Sequence, residues 1–246
     1  MIKPSNLFFV FWRKWLWFCV IMGLFIFTPV TLIVIQSQKT YWIFHTFCKY
    51  WCRLVLLLNG FWSYTKFKSV ISSNSAYIIC PNHTSKFDII LLFATFPTTF
   101  VFMGKKNVSE IPFFEWFYNK TMITFDRDNI SSSVTAYRKA DRLLKAKISI
   151  VIFPEGAVPK NNVRLAQFRL GAFKLAIHNQ VSIIPITFVD NKRKYPEDEL
   201  KLILGVLRVF VHEPISTIDM KSKEAESLCQ TTYDIINKTL IKYATK

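Results

Sequence analysis

From Trp15 to Gln38 the chain carries no charged side chain, a run of 24 residues bounded by Arg13-Lys14 and Lys39. A helix of about 20 apolar residues crosses a bilayer's hydrocarbon core, so the run predicts a membrane-inserted helix with Pro29 as a kink point. Tyr41 to Leu58 is patterned differently. His45, Lys49 and Arg53 recur every four residues, while Trp42, Ile43, Phe44, Phe47, Tyr50, Trp51, Leu54 and Val55 fill the remaining positions. That pattern predicts an interfacial helix, its cationic stripe at lipid phosphates and its aromatic face among acyl chains. Lys3, Arg13 and Lys14 precede the first helix and no small-residue cleavage site follows, which argues against a removed signal peptide. Either the first helix spans the bilayer, or the two helices form a hairpin in one leaflet. The positive-inside rule favours the hairpin, with the basic remainder facing the cytoplasm.

Beyond residue 60 the rhythm changes to short apolar runs alternating with longer amphipathic ones, the signature of an α/β domain. Strands are predicted over 76–80, 99–103, 122–125, 148–153, 182–189 and 206–212. Helices are predicted over 87–95, 131–146, 164–179 and 223–243. No repeat or low-complexity linker interrupts them. The organisation expected is two membrane-anchoring helices over residues 1–60 and one α/β domain over 61–246.

Charge narrows the partners. Lys and Arg outnumber Asp and Glu by 32 to 16, a net charge of +16. Such a surface favours phosphate headgroups, phosphorylated substrates or an acidic carrier protein. Nucleic acid is not expected, because the aromatics cluster in the N-terminal helices and no binding motif appears. The five cysteines (Cys19, Cys48, Cys52, Cys80 and Cys229) make neither a CxxC pair nor a Cys/His zinc spacing, and no metal site is indicated.

The candidate chemistry lies at strand ends, where α/β sheets bind ligands. Pro81 closes the strand at 76–80, and Asn82-His83-Thr84-Ser85-Lys86-Phe87-Asp88 leads into a helix that Thr84 or Ser85 can cap. With His83 just outside the helix and Asp88 in its first turns, the chain can fold back and bring the two together. The carboxylate then holds one ring nitrogen and leaves the other free to accept a proton. Competing readings are a structural His–Asp pair, an N-glycosylation triplet at Asn82 (three others begin at Asn107, Asn129 and Asn237), and a thiol nucleophile at Cys80. Two further strands run into Asp126-Arg127-Asp128 and Pro154-Glu155-Gly156.

In order along the chain, these blocks resemble the glycerolipid acyltransferase family that includes lysophosphatidic acid acyltransferases. The resemblance rests on Asn82-His83-x4-Asp88, Thr124-Phe125-Asp126-Arg127, Phe153-Pro154-Glu155-Gly156 and Val181-Ser182-Ile183-Ile184-Pro185-Ile186, with Phe168-Arg169-x-Gly171-Ala172-Phe173 between the last two. It implies a mixed sheet flanked by helices, and acyl transfer from acyl-CoA or acyl-carrier protein to a lysophospholipid hydroxyl, most simply that of lysophosphatidic acid. It implies no cofactor beyond that co-substrate. His83 would be the general base and Asp88 its orienting carboxylate. Arg127, with Lys105 and Lys106, would hold the acceptor's phosphate. Glu155 would orient acceptor hydroxyls or neighbouring cations, and the backbone around Gly156 or at the helix start would offer donors to the oxyanion.

Three departures bear on the acceptor. Where the family's third block continues Thr-Arg-Ser, this chain has Ala157-Val158-Pro159, so that cation is missing. Lys160, Arg164 and Arg169 are the neighbours able to replace it. Thr121 and Thr124 also stand where Gly and Phe are common in the family. The catalytic pair is intact, so acyl transfer follows more firmly than the identity of the lysolipid.

Overall fold

The computed structural model describes residues 4–85, 87–105, 121–126, 130–160, 162–196 and 202–243. Two helices, α1 (Pro4–Val34) and α2 (Tyr41–Leu58), lead into β1 (Phe61–Phe67), β2 (Ile78–Pro81), α3 (Phe87–Thr95), β3 (Phe100–Lys105) and β4 (Met122–Phe125). Then follow α4 (Ile130–Lys145), β5 (Ser149–Val151), α5 (Gly171–Asn179), β6 (Ile183–Phe188), the short α6 (Asn191–Lys194), β7 (Gly205–Val211) and α7 (Ala225–Tyr243).

The strands form one mixed sheet in the order β1-β7-β6-β2-β5-β3-β4. Neighbours run parallel throughout except β6 and β7, which are antiparallel. β2 lies at the centre, and all four of its residues are buried. Its side chains alternate between two cores, Ile78 and Cys80 packing with α4, α5 and α7, and Ile79 with α3. Such two-sided burial is why this strand reads as an unbroken apolar run. β6, β2 and β5 are adjacent and parallel, so their carboxyl ends open on one edge of the sheet.

α1 and α2 pack antiparallel. The Trp51 indole donates to the Cys19 carbonyl at 3.0 Å, and Phe27 stacks on Phe47 at 5.0 Å. A Cβ at Gly23 would fall 2.0 Å from the Trp51 ring, so the crossing requires glycine there. The inner face of the pair joins the domain core through Leu16, Cys19, Val55 and Leu56. The outer face is apolar and exposed, with Phe11, Phe25, Ile33, Trp42, Leu57 and Leu58 among its residues. Residues 7–34 are long and apolar enough to cross a membrane, with a mean hydropathy of 2.3.

The structure corrects several sequence expectations. The stripe on α2 does not share one environment: His45 is buried against Phe93 and Phe100, whereas Arg53 stays exposed while its Nε donates to the Ala94 carbonyl near the end of α3. Periodicity located the stripe but not the surface that would cover it. β1 went unforeseen, because its partner β7 lies far along the sequence and its Trp62 and Tyr64 stay exposed. The helix predicted over 164–179 begins only at Gly171. Upstream, Ala166 and Arg169 give their N–H groups to Glu155 and the Pro154 carbonyl, committing them to a loop.

Asp190, between β6 and α6, is clamped by Arg208 of β7. The guanidinium reaches its two oxygens at 2.8 and 2.7 Å, and the Arg208 N–H adds a bond of 2.9 Å. Burial pushes this carboxyl up, but the hydrogen bonds and charge of Arg208 outweigh it and hold the group below the usual carboxylate range. A depressed folded pKa contributes stability above the unfolded value, near 4, and loses it as pH falls through the folded value. Arg208→Ala is therefore expected to cost about 2–3 kcal/mol at neutral pH. Its unfolding free energy should also fall less steeply below about pH 4 than the wild type's. An unchanged acid slope in urea titrations would contradict this.

Candidate active site

The carboxyl ends of β6, β2 and β5 converge on His83 and Asp88. Asn82 extends β2 by one polar step: its side-chain amide donates to the Phe188 carbonyl at 3.1 Å and accepts the Phe188 N–H at 2.7 Å. That double bond ties the loop to the end of β6. Ser85 then caps α3, its Oγ accepting the Phe87 N–H at 3.2 Å. Asp88 lies in the first turn of α3, where the helix dipole favours an anion.

The fold-back expected from the sequence is present. His83 Nδ1 lies 2.9 Å from Asp88 Oδ2. A carboxylate only accepts, so Nδ1 carries the proton and Nε2 is left as the basic nitrogen. Asp88 Oδ2 also accepts the N–H groups of Thr84 and Ser85. Oδ1 accepts the Thr84 hydroxyl and the Asn191 side-chain amide, each at 2.6 Å. The Asp88 side chain is fully buried and that of His83 is 16% exposed. A carboxylate removed from water needs such a set of donors.

Glu155 holds the other side of the histidine loop. Its two oxygens accept the N–H of His83 at 2.6 Å and that of Ala166 at 2.7 Å. Burial pushes its carboxyl up, and the two backbone bonds oppose that shift only in part. Both Glu155 oxygens are thus engaged by backbone donors, and each keeps a second acceptor site. The donors suggested for an oxyanion are also engaged: Gly156 N–H bonds the Phe153 carbonyl at 3.0 Å and Asp88 N–H bonds the Ser85 carbonyl at 3.1 Å. Gly156, at φ +78°, occupies a left-handed conformation that glycine adopts without strain.

Cys80 sits on β2 with no exposed surface, and burial raises its thiol well above the usual range. Both facts argue against a thiolate nucleophile. Lys105 ends β3, while Lys106 and Arg127 lie outside the described residues. Among the described residues, no cluster of His, Cys, Asp and Glu has the makings of a metal site.

Two cavities adjoin the aromatic rings stacked beside His83. Phe153 stacks on His83 at 4.0 Å and on Phe102 at 6.1 Å. Phe102 lines an apolar cavity of about 270 Å³ between α1, α2 and α3, whose walls include Phe27, Trp51, Cys52 and Ile90. Phe153 lines a second cavity of about 400 Å³ with Phe125, Tyr137, Gly156 and Arg169. Arg169 is exposed there, and no acidic side chain pairs with it among the described residues. Sequence reasoning missed Asn191, Thr84 and Ser85 as partners of Asp88. The strand-end rule applied to β6 would have drawn attention to Asp190 and Asn191.

A family model described as Acyltransferase matches residues 65–189. The chloroplast 1-acyl-sn-glycerol-3-phosphate acyltransferase of Arabidopsis thaliana is 31% identical over 67% of this chain and 47% of its own length. The 1-acyl-sn-glycerol-3-phosphate acyltransferase of Borreliella burgdorferi is 28% identical over 69% of this chain and 68% of its own. The alignments span roughly half to two thirds of the first curated relatives. In structure, the chain is similar to the 1-acyl-sn-glycerophosphate acyltransferase PlsC of Thermotoga maritima. The TM-score is 0.69 at 20% identity, covering 98% of this chain and 95% of that one.

Proposed function

This chain belongs to the acyltransferase family, and we propose that it is a membrane-bound O-acyltransferase that esterifies the free hydroxyl of a lysophospholipid, most simply lysophosphatidic acid to phosphatidic acid. The observation that carries the proposal is the His83–Asp88 pair, its Nδ1 engaged and its Nε2 left for a substrate proton. Relatives named as 1-acyl-sn-glycerol-3-phosphate acyltransferases support the acceptor.

The mechanism follows from that geometry. Nε2 of His83 takes the hydroxyl proton as the lipid oxygen attacks the thioester carbonyl of acyl-CoA or acyl-carrier protein. The tetrahedral intermediate collapses, the C–S bond breaks, and the departing thiolate takes the proton back from the imidazolium. Asp88 fixes the tautomer and stabilises the imidazolium. The acceptor's hydroxyl is itself the nucleophile, so no acyl-enzyme forms. General base catalysis of this kind contributes roughly 10²–10⁴-fold. Placement supplies more: the apolar cavity suits a hydrocarbon chain, and the second cavity, with Arg169 on its wall, suits a phosphate. A guanidinium there stands in for the cation that Val158 does not provide.

The exposed apolar face of α1 and α2 supports a bilayer as the surrounding medium. The basic remainder would then meet anionic headgroups from the cytoplasmic side. A second reading, with another lysolipid as acceptor, draws on Ala157 and Val158 at the family's Thr-Arg positions.

The test is a panel of lysolipids with labelled acyl-CoA and acyl-carrier protein. His83→Ala should abolish transfer while the protein still sediments with membranes, and Cys80→Ser should retain most activity. Normal transfer by the first variant would sink the mechanism, and complete loss in the second would return the thiol to consideration. Arg169→Ala should raise the KM for lysophosphatidic acid about tenfold, the effect of losing one charged hydrogen bond. Transfer to acceptors without a phosphomonoester should change little, and equal effects on both would remove Arg169 from the phosphate site.

A further inference from the structure

We propose that Asn191 is a positioning residue for the reaction, fixing the Asp88 carboxylate so that His83 presents its free nitrogen to the acceptor hydroxyl. The inference rests on the acyl-transfer reading above. Its starting point is the origin of the donors to Asp88. Oδ2 is held by His83, Thr84 and Ser85, and Oδ1 by the Thr84 hydroxyl. All of these belong to the loop that carries His83, which Asn82 and Glu155 anchor through the backbone, so none of them holds the carboxylate itself against the rest of the fold. Asn191 is the donor from elsewhere in the fold among the described residues, at 2.6 Å from Oδ1. It refers the pair to the sheet.

Asn191 is itself immobilised. It follows Asp190, which Arg208 clamps, and its carbonyl accepts the Tyr195 N–H at 2.7 Å. The Tyr195 ring stacks on Phe87, the residue before Asp88, at 5.0 Å and 18°. Asn191 has no exposed surface, and its Oδ1 accepts no hydrogen bond among the described residues. A buried acceptor left unpaired costs stability. The amide nonetheless directs its donor end at the Asp88 carboxylate. Rigid placement of this kind is what a reacting pair requires, since small displacements reduce rate steeply.

Charged groups near Asn191 have other partners: Asp190 pairs with Arg208 and Arg193, and Lys194 donates to the Leu204 carbonyl. Glu155 faces the histidine loop from the end of β5. The Asn191 hydrogen bond disperses the charge of Asp88. Its loss frees the carboxylate to turn, and the His83 ring turns with it.

The experiment uses full-length protein in detergent–lipid micelles, with whichever lysolipid the wild type accepts. Asn191→Leu, close in size and without a donor, should lower kcat about 10–100-fold. KM values should stay within about threefold, and the downfield Nδ1 proton resonance of His83 should move upfield or broaden as the pair loosens. Should that variant fail to accumulate, Asn191→Ser removes the same direct contact and is read the same way. A kcat within twofold of wild type overturns the proposal. So does a loss of kcat with an unchanged Nδ1 resonance, because a merely structural role would not move it. Wild-type protein inactive on every lysolipid would overturn instead the reading on which the proposal rests.

Discussion

A fully buried carboxylate sets the terms for the rest of this structure. Asp88 has no water to solvate it, and an isolated charge in that position would be prohibitively expensive. Five donors meet it: the His83 ring, the N–H groups of Thr84 and Ser85, the Thr84 hydroxyl and the Asn191 amide. Meeting that demand bends the 82–85 segment back over the start of α3. The same bend brings an imidazole to a carboxylate five residues further on. Satisfying a buried charge and orienting a base are one arrangement.

The sheet makes the arrangement possible. β6, β2 and β5 lie side by side and parallel, so their ends deliver Asn191, the His83 loop and Glu155 to one edge. Asn82 prolongs the pairing of β2 with β6 by two hydrogen bonds, and Glu155 grips the His83 N–H from the β5 side. Phe153 stacks on the imidazole and lines the cavity bearing Arg169, while Phe102, stacked on its ring, lines the apolar one. The hairpin of α1 and α2 belongs to this scheme, because its inner face walls the apolar cavity while its outer face stays apolar and exposed.

Much of this was legible in the sequence because it is local. The spacing of His83 and Asp88, the strand preceding them and the helix following depend on residues close together, and the predicted strands over 76–80, 122–125 and 182–189 overlap β2, β4 and β6. What was not legible depends on distant partners. β1 exists because β7 pairs with it, and its exposed Trp62 and Tyr64 gave no sign of that. The stripe of His45, Lys49 and Arg53 is helical, but only α3 and the neighbouring Phe100 decide that His45 is buried. Residues 164–170 have helical composition, yet Pro154 and Glu155 take the N–H groups that a helix would use. Asn191 bonds Asp88 across 103 residues, a relation no local pattern encodes.

The central claim is that this network leaves His83 protonated on Nδ1 and basic on Nε2. Nitrogen NMR of histidine-labelled protein reads that directly, with His83→Gln used to assign the signal. With the imidazole neutral, the account predicts a protonated Nδ1 with its proton shifted far downfield by Asp88, and an Nε2 with the shift of a bare ring nitrogen. A proton on Nε2, or rapid exchange between the two tautomers, would contradict it.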